Sequence, residues 1–480
     1  MMRLTNKQRK VVIIGAGITG LTTAFYMQKQ ARDEKLPIDV LLIDASLRAG
    51  GKIETLRHDG YIIERGPESF YDQHGDIERL AQDLYIRSKL INNNIGTSYI
   101  ALDTKLHEVP RQFSKDRTAP HLPTFVSTEL LSVGGKVRAL KDIVMPRGDH
   151  RYDESVANFF KRRFGQEVLE NVVEPLLAGT FAGDIEHLSM KAMFPEFYAL
   201  EAEYRSLLRG FSKAGVAFLP NEVRQHRGVY QTFENGLQTL VESLEESLAP
   251  HTLRKGLRVS NVEQLPDATA RIHFTNGDKI HADEVIVATP FAVTKNILAA
   301  VENLHYVTPV KSATIATVTM AFDAAQITKY QDALNFFVSR NSNFAITSCT
   351  FSHNKWDHVA PDGKALLRIY LGRVGDETIV ELSDTEIEKI VLRDLEQAIG
   401  VIGQPDFTIV SRWKEAMPQY TVGHDEAVEE LRKRINQAMP SVYITGSSYD
   451  GMSLPRCVAQ GYDTAKRLIT KMTQADYTDA

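Results

Sequence analysis

Val11-Val12-Ile13-Ile14-Gly15-Ala16-Gly17-Ile18-Thr19-Gly20 is an apolar strand run that ends in a GxGxxG turn, and Leu21-Thr22-Thr23-Ala24-Phe25-Tyr26-Met27 continues it as a helix. Such a turn leaves backbone N–H groups free at the positive end of the helix, where a diphosphate is held. Gly15 permits the tight turn, Gly17 lets the backbone approach the phosphates, and Gly20 lets helix and strand pack closely. A second strand, Ile38-Asp39-Val40-Leu41-Leu42-Ile43, ends in Asp44, an acid placed to accept hydrogen bonds from a ribose. The interval from Gly20 to Asp44 is a few residues longer than usual, and the polar insertion Arg32-Asp33-Glu34-Lys35-Leu36-Pro37 accounts for it. The expected fold class is α/β, opening on a Rossmann-like dinucleotide-binding unit.

At 480 residues the chain is long enough for two or three packed units. Its hydrophobic share of 43%, charged share of 24% and net charge of −5 argue against disorder and against a global field that attracts nucleic acid or anionic lipid. Any anionic partner must be met locally. Cys349 and Cys457 lie far apart and form no CxxC pair, so neither a disulfide framework nor a metal site is expected. No run approaches the roughly 20 apolar residues of a membrane-spanning helix, and the N-terminal apolar stretch reads as a βα unit. The expectation is a soluble cytoplasmic protein.

Gly60-Tyr61-Ile62-Ile63-Glu64-Arg65-Gly66-Pro67 reads as a further strand ending in a turn. From about Asp72 to Gln225 the pattern is mostly helical, with amphipathic runs at Val156 to Phe164 and Glu167 to Leu177, and with Pro110, Pro120, Pro123 and Pro146 interrupting its early part. Strand signals return at Gly256 to Ser260, Ala270 to Phe274 and Glu284 to Ala288, and all three are expected to rejoin the first sheet. Alternating apolar residues between about Val310 and Trp413 predict a separate antiparallel sheet. A buried strand at Val442 to Thr445, a glycine turn at Gly446 and a final helix from Pro455 close the chain.

The N-terminal unit, the Gly50-Gly51-Lys52 turn, Asp283 to Pro290 and the Gly446 turn together resemble the flavin-dependent amine oxidase superfamily. Four blocks narrow the resemblance to its protoporphyrinogen and coproporphyrinogen oxidases: Glu64 to Phe70; Glu174 to Asp184 leading to Leu188-Ser189-Met190; Arg412 to Tyr420 with Val422-Gly423-His424; and Tyr449 to Cys457. The resemblance implies a Rossmann-like FAD-binding domain formed by 1–71, 227–296 and 412–480. It implies a mixed-sheet substrate domain formed by 72–98, 190–226 and 297–411, and a largely helical insertion at 99–189.

It also implies FAD held without a covalent bond, because Ser447 and Ser448 stand where covalent relatives carry cysteine. The diphosphate falls on Gly15, Ala16, Gly17, Ile18, Thr19 and Gly20, and the ribose on Asp44 and Ala45. Lys52 and the turn Gly66, Pro67, Glu68 and Ser69 line the middle of the cofactor, and Val259 flanks the adenine. Trp413 with Met452, Ser453 and Leu454 lies beside the flavin ring, where the positive end of the last helix favours the reduced anion. A strand valine at Val259 and a packed tryptophan at Trp413 would look the same in a plain sheet core.

The implied substrate is a porphyrinogen, with O2 as acceptor and H2O2 as product. Its oxidation removes six electrons in three hydride steps, and the pyrrole nitrogen pushes each hydride out, so no catalytic triad is needed and no catalytic side chain is assigned. The site must be large, mostly apolar and basic where propionates emerge. Gly179 and Thr180 are the candidates against the macrocycle. Arg205 and Arg209, with Arg111, Arg117, Lys213 and His74 behind them, are the candidates for carboxylates. Tyr71-Asp72-Gln73-His74 stands where relatives carry basic residues, which leaves open the choice between a tetracarboxylate and a dicarboxylate substrate. An amine oxidase, an isoprenoid desaturase and a non-catalytic porphyrin carrier remain as alternatives, and the oligomeric state is not legible.

Overall fold

The computed structural model describes residues 8–109, 127–149, 151–214, 227–302, 304 and 311–478. Arg111 and Arg117, with Pro110, Pro120 and Pro123, lie outside the described residues.

The strand Arg9–Ile14 lies at the centre of a five-stranded parallel sheet, ordered Val442–Ile444, Glu284–Val287, Arg9–Ile14, Ile38–Ile43 and Leu253–Arg254. Its residues are apolar on both faces because both faces are covered. Val11, Ile13, Val40 and Leu42 pack against the helix Ile18–Asp33 and the C-terminal helix Leu454–Thr478, while Val12, Ile14, Leu41 and Ile43 face the opposite way. The two helices touch at Gly461, where a Cβ would stand 2.8 Å from the Thr19 carbonyl oxygen.

Two of the three expected returning strands do not rejoin this sheet. Val259–Gln264 and Ala270–Phe274 pair antiparallel with each other, and Lys279–Ala282 completes a separate three-stranded sheet that covers the second face. The difference is physical: in these strands only alternate residues such as Val262 and Ile272 are buried, the mark of a sheet with one covered face, whereas Glu284–Val287 is buried throughout and does join the parallel sheet.

The second large sheet has seven strands, in the order Phe407–Pro418, Ser312–Asp323, Lys364–Leu371, Ser348–Phe351, Ala333–Val338, Thr97–Leu102 and Lys105–Glu108. All neighbours are antiparallel except Ala333–Val338 and Thr97–Leu102. Its strands Thr97–Leu102 and Lys105–Glu108, with the short strand Leu90–Asn92, interrupt the stretch whose pattern predicted mostly helix. From Val133 to Ala214 every named element among the described residues is helical, including Val156–Phe164 as expected.

The period-2 alternation gives the seven-stranded sheet two unlike faces. Phe336, Val338, Cys349, Phe351, Leu367, Ile369, Val318 and Met320 pack against Ile387, Val391, Leu395 and Ile399 of the helix Asp384–Ile399. The other face carries Ser411, Thr317, Tyr370, Ser348 and Phe337, which are in direct register across five successive strands. Four interstrand steps make that row about 19 Å long.

Candidate functional site

The three glycines of the opening turn have separable roles in the structure. Gly15 adopts φ +104°, and a Cβ there would lie 2.9 Å from the Ala288 carbonyl oxygen; a Cβ on Gly20 would lie 1.9 Å from the Gly15 oxygen. Both are turn and packing positions. At Gly17, by contrast, an added Cβ meets nothing within 4 Å. Gly17 is also the N-cap of the helix Ile18–Asp33, with no capping side chain and no acid in the first turn, so the positive helix end faces open space.

Asp44 stands beside this opening. One carboxylate oxygen accepts the Ala16 N–H at 2.6 Å and the other the Ser46 N–H at 2.7 Å, which leaves lone pairs for a ribose. The Asp44 backbone exchanges hydrogen bonds with Arg254 and Leu257, so the half-buried Val259 begins its strand two residues beyond that contact. Ala45 is exposed at the same edge.

The middle of the groove is built by Lys52, Gly66 and Trp413. A Cβ on Gly66 would lie 1.7 Å from the Lys52 carbonyl oxygen and 3.5 Å from the Trp413 ring, so only glycine fits. Trp413 Nε1 donates to the Arg65 carbonyl at 2.8 Å, which fixes the ring against this turn. The Lys52 ammonium is half-buried and has no hydrogen bond or ion pair among the described residues, and burial lowers its pKa. An unneutralised, desolvated cation, one residue from Gly51, which packs against Gly17, suits an anionic group. Glu68 and Ser69 are held from the short helix Ser352–Lys355: Lys355 Nζ donates to Glu68 at 2.8 Å and to Ser69 Oγ at 3.3 Å, and Ser352 Oγ donates to Glu68 at 2.9 Å. Burial opposes ionisation of Glu68, but Lys355 and Arg368 outweigh it and hold the carboxyl below its usual pKa.

At the far end, Gly451 adopts φ +122° and the helix Leu454–Thr478 follows, with Ser453 Oγ accepting the Arg456 N–H at 3.4 Å. Pro455 is its second residue rather than its first. Met452, Ser453 and Leu454 thus form the turn and first residue of the helix. The Cys457 thiol is buried with its sulfur 3.8 Å from the Gly451 and Met452 carbonyls, and burial raises its pKa. The hydroxyl of Tyr420 donates to the Ser447 carbonyl at 2.8 Å and accepts the Gly451 N–H at 2.9 Å, closing the loop that leads into the turn. Its ring stacks on His424 at 3.8 Å, and His424 Nε2 lies 2.8 Å from the Tyr449 carbonyl. The sequence marks Tyr420 and His424 only as part of a block; no local pattern announces a clamp between residues 27 and 31 positions apart.

The polar row on the seven-stranded sheet joins these parts. At one end Thr317 Oγ1 donates to the Arg65 carbonyl and Arg65 Nε to Ser411 Oγ, both at 2.9 Å, beside Gly66 and Trp413. At the other end a Cβ on Gly179 would lie 2.6 Å from Phe337 and 3.4 Å from Ser348, so the helix Glu174–Phe181 meets the row closely at that glycine. Arg368, two residues before Tyr370, donates Nη2 to the Gly66 carbonyl, while its buried Nε and Nη1 have no partner. Thr180 turns its hydroxyl onto the Leu176 carbonyl of its own helix at 2.7 Å. Arg205 and Arg209 are exposed at the corner between Pro195–Tyr204 and Leu207–Ala214, and among the described residues no hydrogen bond or ion pair joins their side chains to Gly179 or to the row. Lys213 and His74 are also exposed. Asp72 serves the fold, since its carboxylate accepts the N–H groups of Asp76, Ile77 and Glu78 at 2.9 Å each and caps the helix Asp76–Asp83.

The uncapped turn at Gly17, the Asp44 carboxylate, the Lys52 ammonium without a partner among the described residues and the Gly66–Trp413 contact are compatible with an extended flavin dinucleotide. The family model of flavin containing amine oxidoreductases matches residues 18–469. The coproporphyrinogen III oxidase of Bacillus subtilis (strain 168) is 41% identical over 95% of this chain and 97% of its own, and that of Staphylococcus aureus (strain NCTC 8325 / PS 47) is 35% identical over 97% and 100%. The mitochondrial protoporphyrinogen oxidase of Nicotiana tabacum is 24% identical over 96% and 95%. Among solved structures, UDP-galactopyranose mutase shares the fold at a TM-score of 0.70 and 14% identity, covering 96% of each chain. The chain belongs to the flavin-containing amine oxidoreductase family.

Proposed function

We propose that this FAD-dependent oxidase converts coproporphyrinogen III to coproporphyrin III in haem biosynthesis, accepts protoporphyrinogen IX as a second substrate, and passes the electrons to O2. The balance is one porphyrinogen and three O2 giving one porphyrin and three H2O2. The observation that carries the reading is the 41% identity over 95% of this chain to a coproporphyrinogen III oxidase, together with the row of Ser411, Thr317, Tyr370, Ser348 and Phe337 that runs from the Gly66–Trp413 turn to Gly179.

FAD, when bound, accepts the hydride released in each two-electron step. Gly17 and the uncapped helix end hold its diphosphate, Asp44 its ribose, and Lys52 and the Met452–Leu454 turn an anionic part of the cofactor. The row orients the macrocycle through the Ser348 hydroxyl and the Tyr370 phenol, whose pKa burial pushes up to about 12, so it stays a neutral hydrogen-bond donor. In each of the three steps a pyrrole nitrogen lone pair pushes a hydride off a neighbouring bridge carbon and one proton is released to solvent, three hydrides and three protons in all, so positioning replaces a strong base. The same reading divides the chain into an FAD domain of three segments (1–71, 227–296, 412–480), a substrate domain built on the seven-stranded sheet, and a helical domain. Among the described residues no helix is long and apolar enough to cross a membrane.

The test is anaerobic. Purified yellow protein mixed with coproporphyrinogen III is expected to bleach near 450 nm as porphyrin fluorescence rises, and to recover colour with O2. Bleaching by amines or polyenes and not by porphyrinogen identifies another oxidase of the family; porphyrin binding without flavin identifies a carrier.

A further inference from the structure

Two arginines converge on one buried carboxylate at the edge of the polar row. Arg340 follows the strand Ala333–Val338 and Arg373 follows Lys364–Leu371; each lies three residues beyond a member of the row, Phe337 and Tyr370. These two strands run in the same direction, since both are antiparallel to Ser348–Phe351, so both arginines emerge at the same end, about 10 Å from the row. Between them lies Glu174, the first residue of the helix that carries Gly179. Arg340 Nε donates to Glu174 Oε1 at 2.6 Å, and Arg373 Nη1 approaches the same oxygen at 3.6 Å. The Val374 N–H bonds the Ala182 carbonyl at 3.0 Å and fastens the Arg373 loop to the end of the helix.

This cluster is not closed as a structural ion pair. Glu174 is 5% exposed, yet its Oε2 has no hydrogen-bond partner, and neither do Nε and Nη1 of Arg373. The terminal nitrogens of Arg340, a side chain 41% exposed, make no hydrogen bond among the described residues. Asp376, the other acid nearby, touches Arg373 Nε only at 4.0 Å and is 53% exposed, so water screens it. Two guanidinium groups therefore share one buried carboxylate, and burial together with the neighbouring Arg340 lowers the pKa of Arg373. The arrangement lacks one anion with planar, bidentate geometry.

We infer that Arg340 and Arg373, backed by Glu174, form a carboxylate-binding subsite that takes a propionate of the tetrapyrrole lying along the row. The inference rests on the porphyrinogen reading and adds to it the recognition of the acid side chains. A macrocycle lying beside Tyr370, clear of Gly179, directs a propionate toward the end at which both arginines emerge, and Glu174 offsets their mutual repulsion when the site is empty.

The holoprotein is titrated with coproporphyrin III and, separately, with its tetramethyl ester in the same detergent, for the wild type, Arg340→Gln, Arg373→Gln and Arg373→Lys; KM and kcat for coproporphyrinogen III are measured alongside. Losing a charge-assisted pair is expected to weaken coproporphyrin III binding about tenfold or more in each Gln variant, with KM rising more than kcat falls. The ester, which has no anion to offer, is expected to bind all four proteins alike, and Arg373→Lys is expected to recover part of the affinity. Because Arg340 is exposed, its variant folds even where Arg373→Gln fails. Unchanged coproporphyrin affinity in Arg340→Gln, or equal weakening for acid and ester, overturns the subsite while normal wild-type turnover leaves the substrate reading standing. A wild type that neither binds nor oxidises coproporphyrinogen overturns both.

Discussion

Gly17 and Gly20 lie three residues apart in one turn, and a side chain added at each does opposite things. Gly17 has φ −69° and free space around its missing Cβ, so Gly17→Val is expected to leave the apoprotein's Tm within about 2 °C of wild type while abolishing FAD retention, read from the flavin-to-protein absorbance ratio. Gly20→Ala drives a methyl into the Gly15 carbonyl and is expected to cost about 2 kcal/mol or more of apoprotein stability by chemical denaturation. His424 is a second point where one side chain reports on the site. Burial holds its pKa below the ordinary value despite the Tyr449 carbonyl, so below about pH 6.5 the unfolded chain binds a proton that the folded chain refuses. The stability it contributes is full above that pH and declines below it. Relative to His424→Gln, which keeps a donor for Tyr449, the wild type is expected to lose Tm between pH 7.5 and 5; parallel curves refute this. At this scale the sequence is readable where chemistry is local. Gly15, Gly17, Gly20 and Asp44 act through neighbours in a turn and an adjacent strand, whereas Arg340 and Arg373 follow strands like any surface arginine and acquire meaning only from Glu174, at least 166 positions away.

Elements are legible to the degree that burial writes itself into period. The strand Arg9–Ile14 reads as parallel because every residue from Val11 is buried, and the helix Val156–Phe164 reads correctly from its four apolar positions. Alternation in Val259–Gln264 says only that one face is covered and not which sheet covers it, which is why the pattern alone sends that strand to the wrong sheet. Strand Thr97–Leu102 makes a local hairpin with Lys105–Glu108, but its place in the large sheet comes from Ala333–Val338, more than 200 residues on. The helix Asp384–Ile399 shows how an element's end sustains the site at a distance, since it supports the apolar face whose reverse carries the polar row. Its capping box joins Ser383 and Glu386, the Glu386 N–H meeting Ser383 Oγ at 3.3 Å and the Ser383 N–H meeting the Glu386 carboxylate at 2.9 Å. Ser383→Ala is expected to cost about 1 kcal/mol in denaturant titration with flavin content unchanged; a loss of flavin would mean that the sheet itself had shifted.

For the whole molecule, the groove draws its walls from both ends of the chain, so FAD and fold are linked. Saturation at a thousandfold excess over Kd adds about 4 kcal/mol, and the holoprotein is expected to melt several degrees above the apoprotein, with the gap closing in Gly17→Val. Scanning fluorimetry of the stripped and reconstituted protein reads both. The order of the parallel sheet has one more outcome, for biosynthesis. Its outer strand, Val442–Ile444, and the helix that packs beside the opening turn follow the first strand by more than 400 positions, so until both have been made the first strand waits with an unfinished neighbour and a half-built cradle. Flavin capture is thereby expected only once that strand and helix have emerged, and a ribosome stalled at residue 440 would hold a nascent chain that is still colourless.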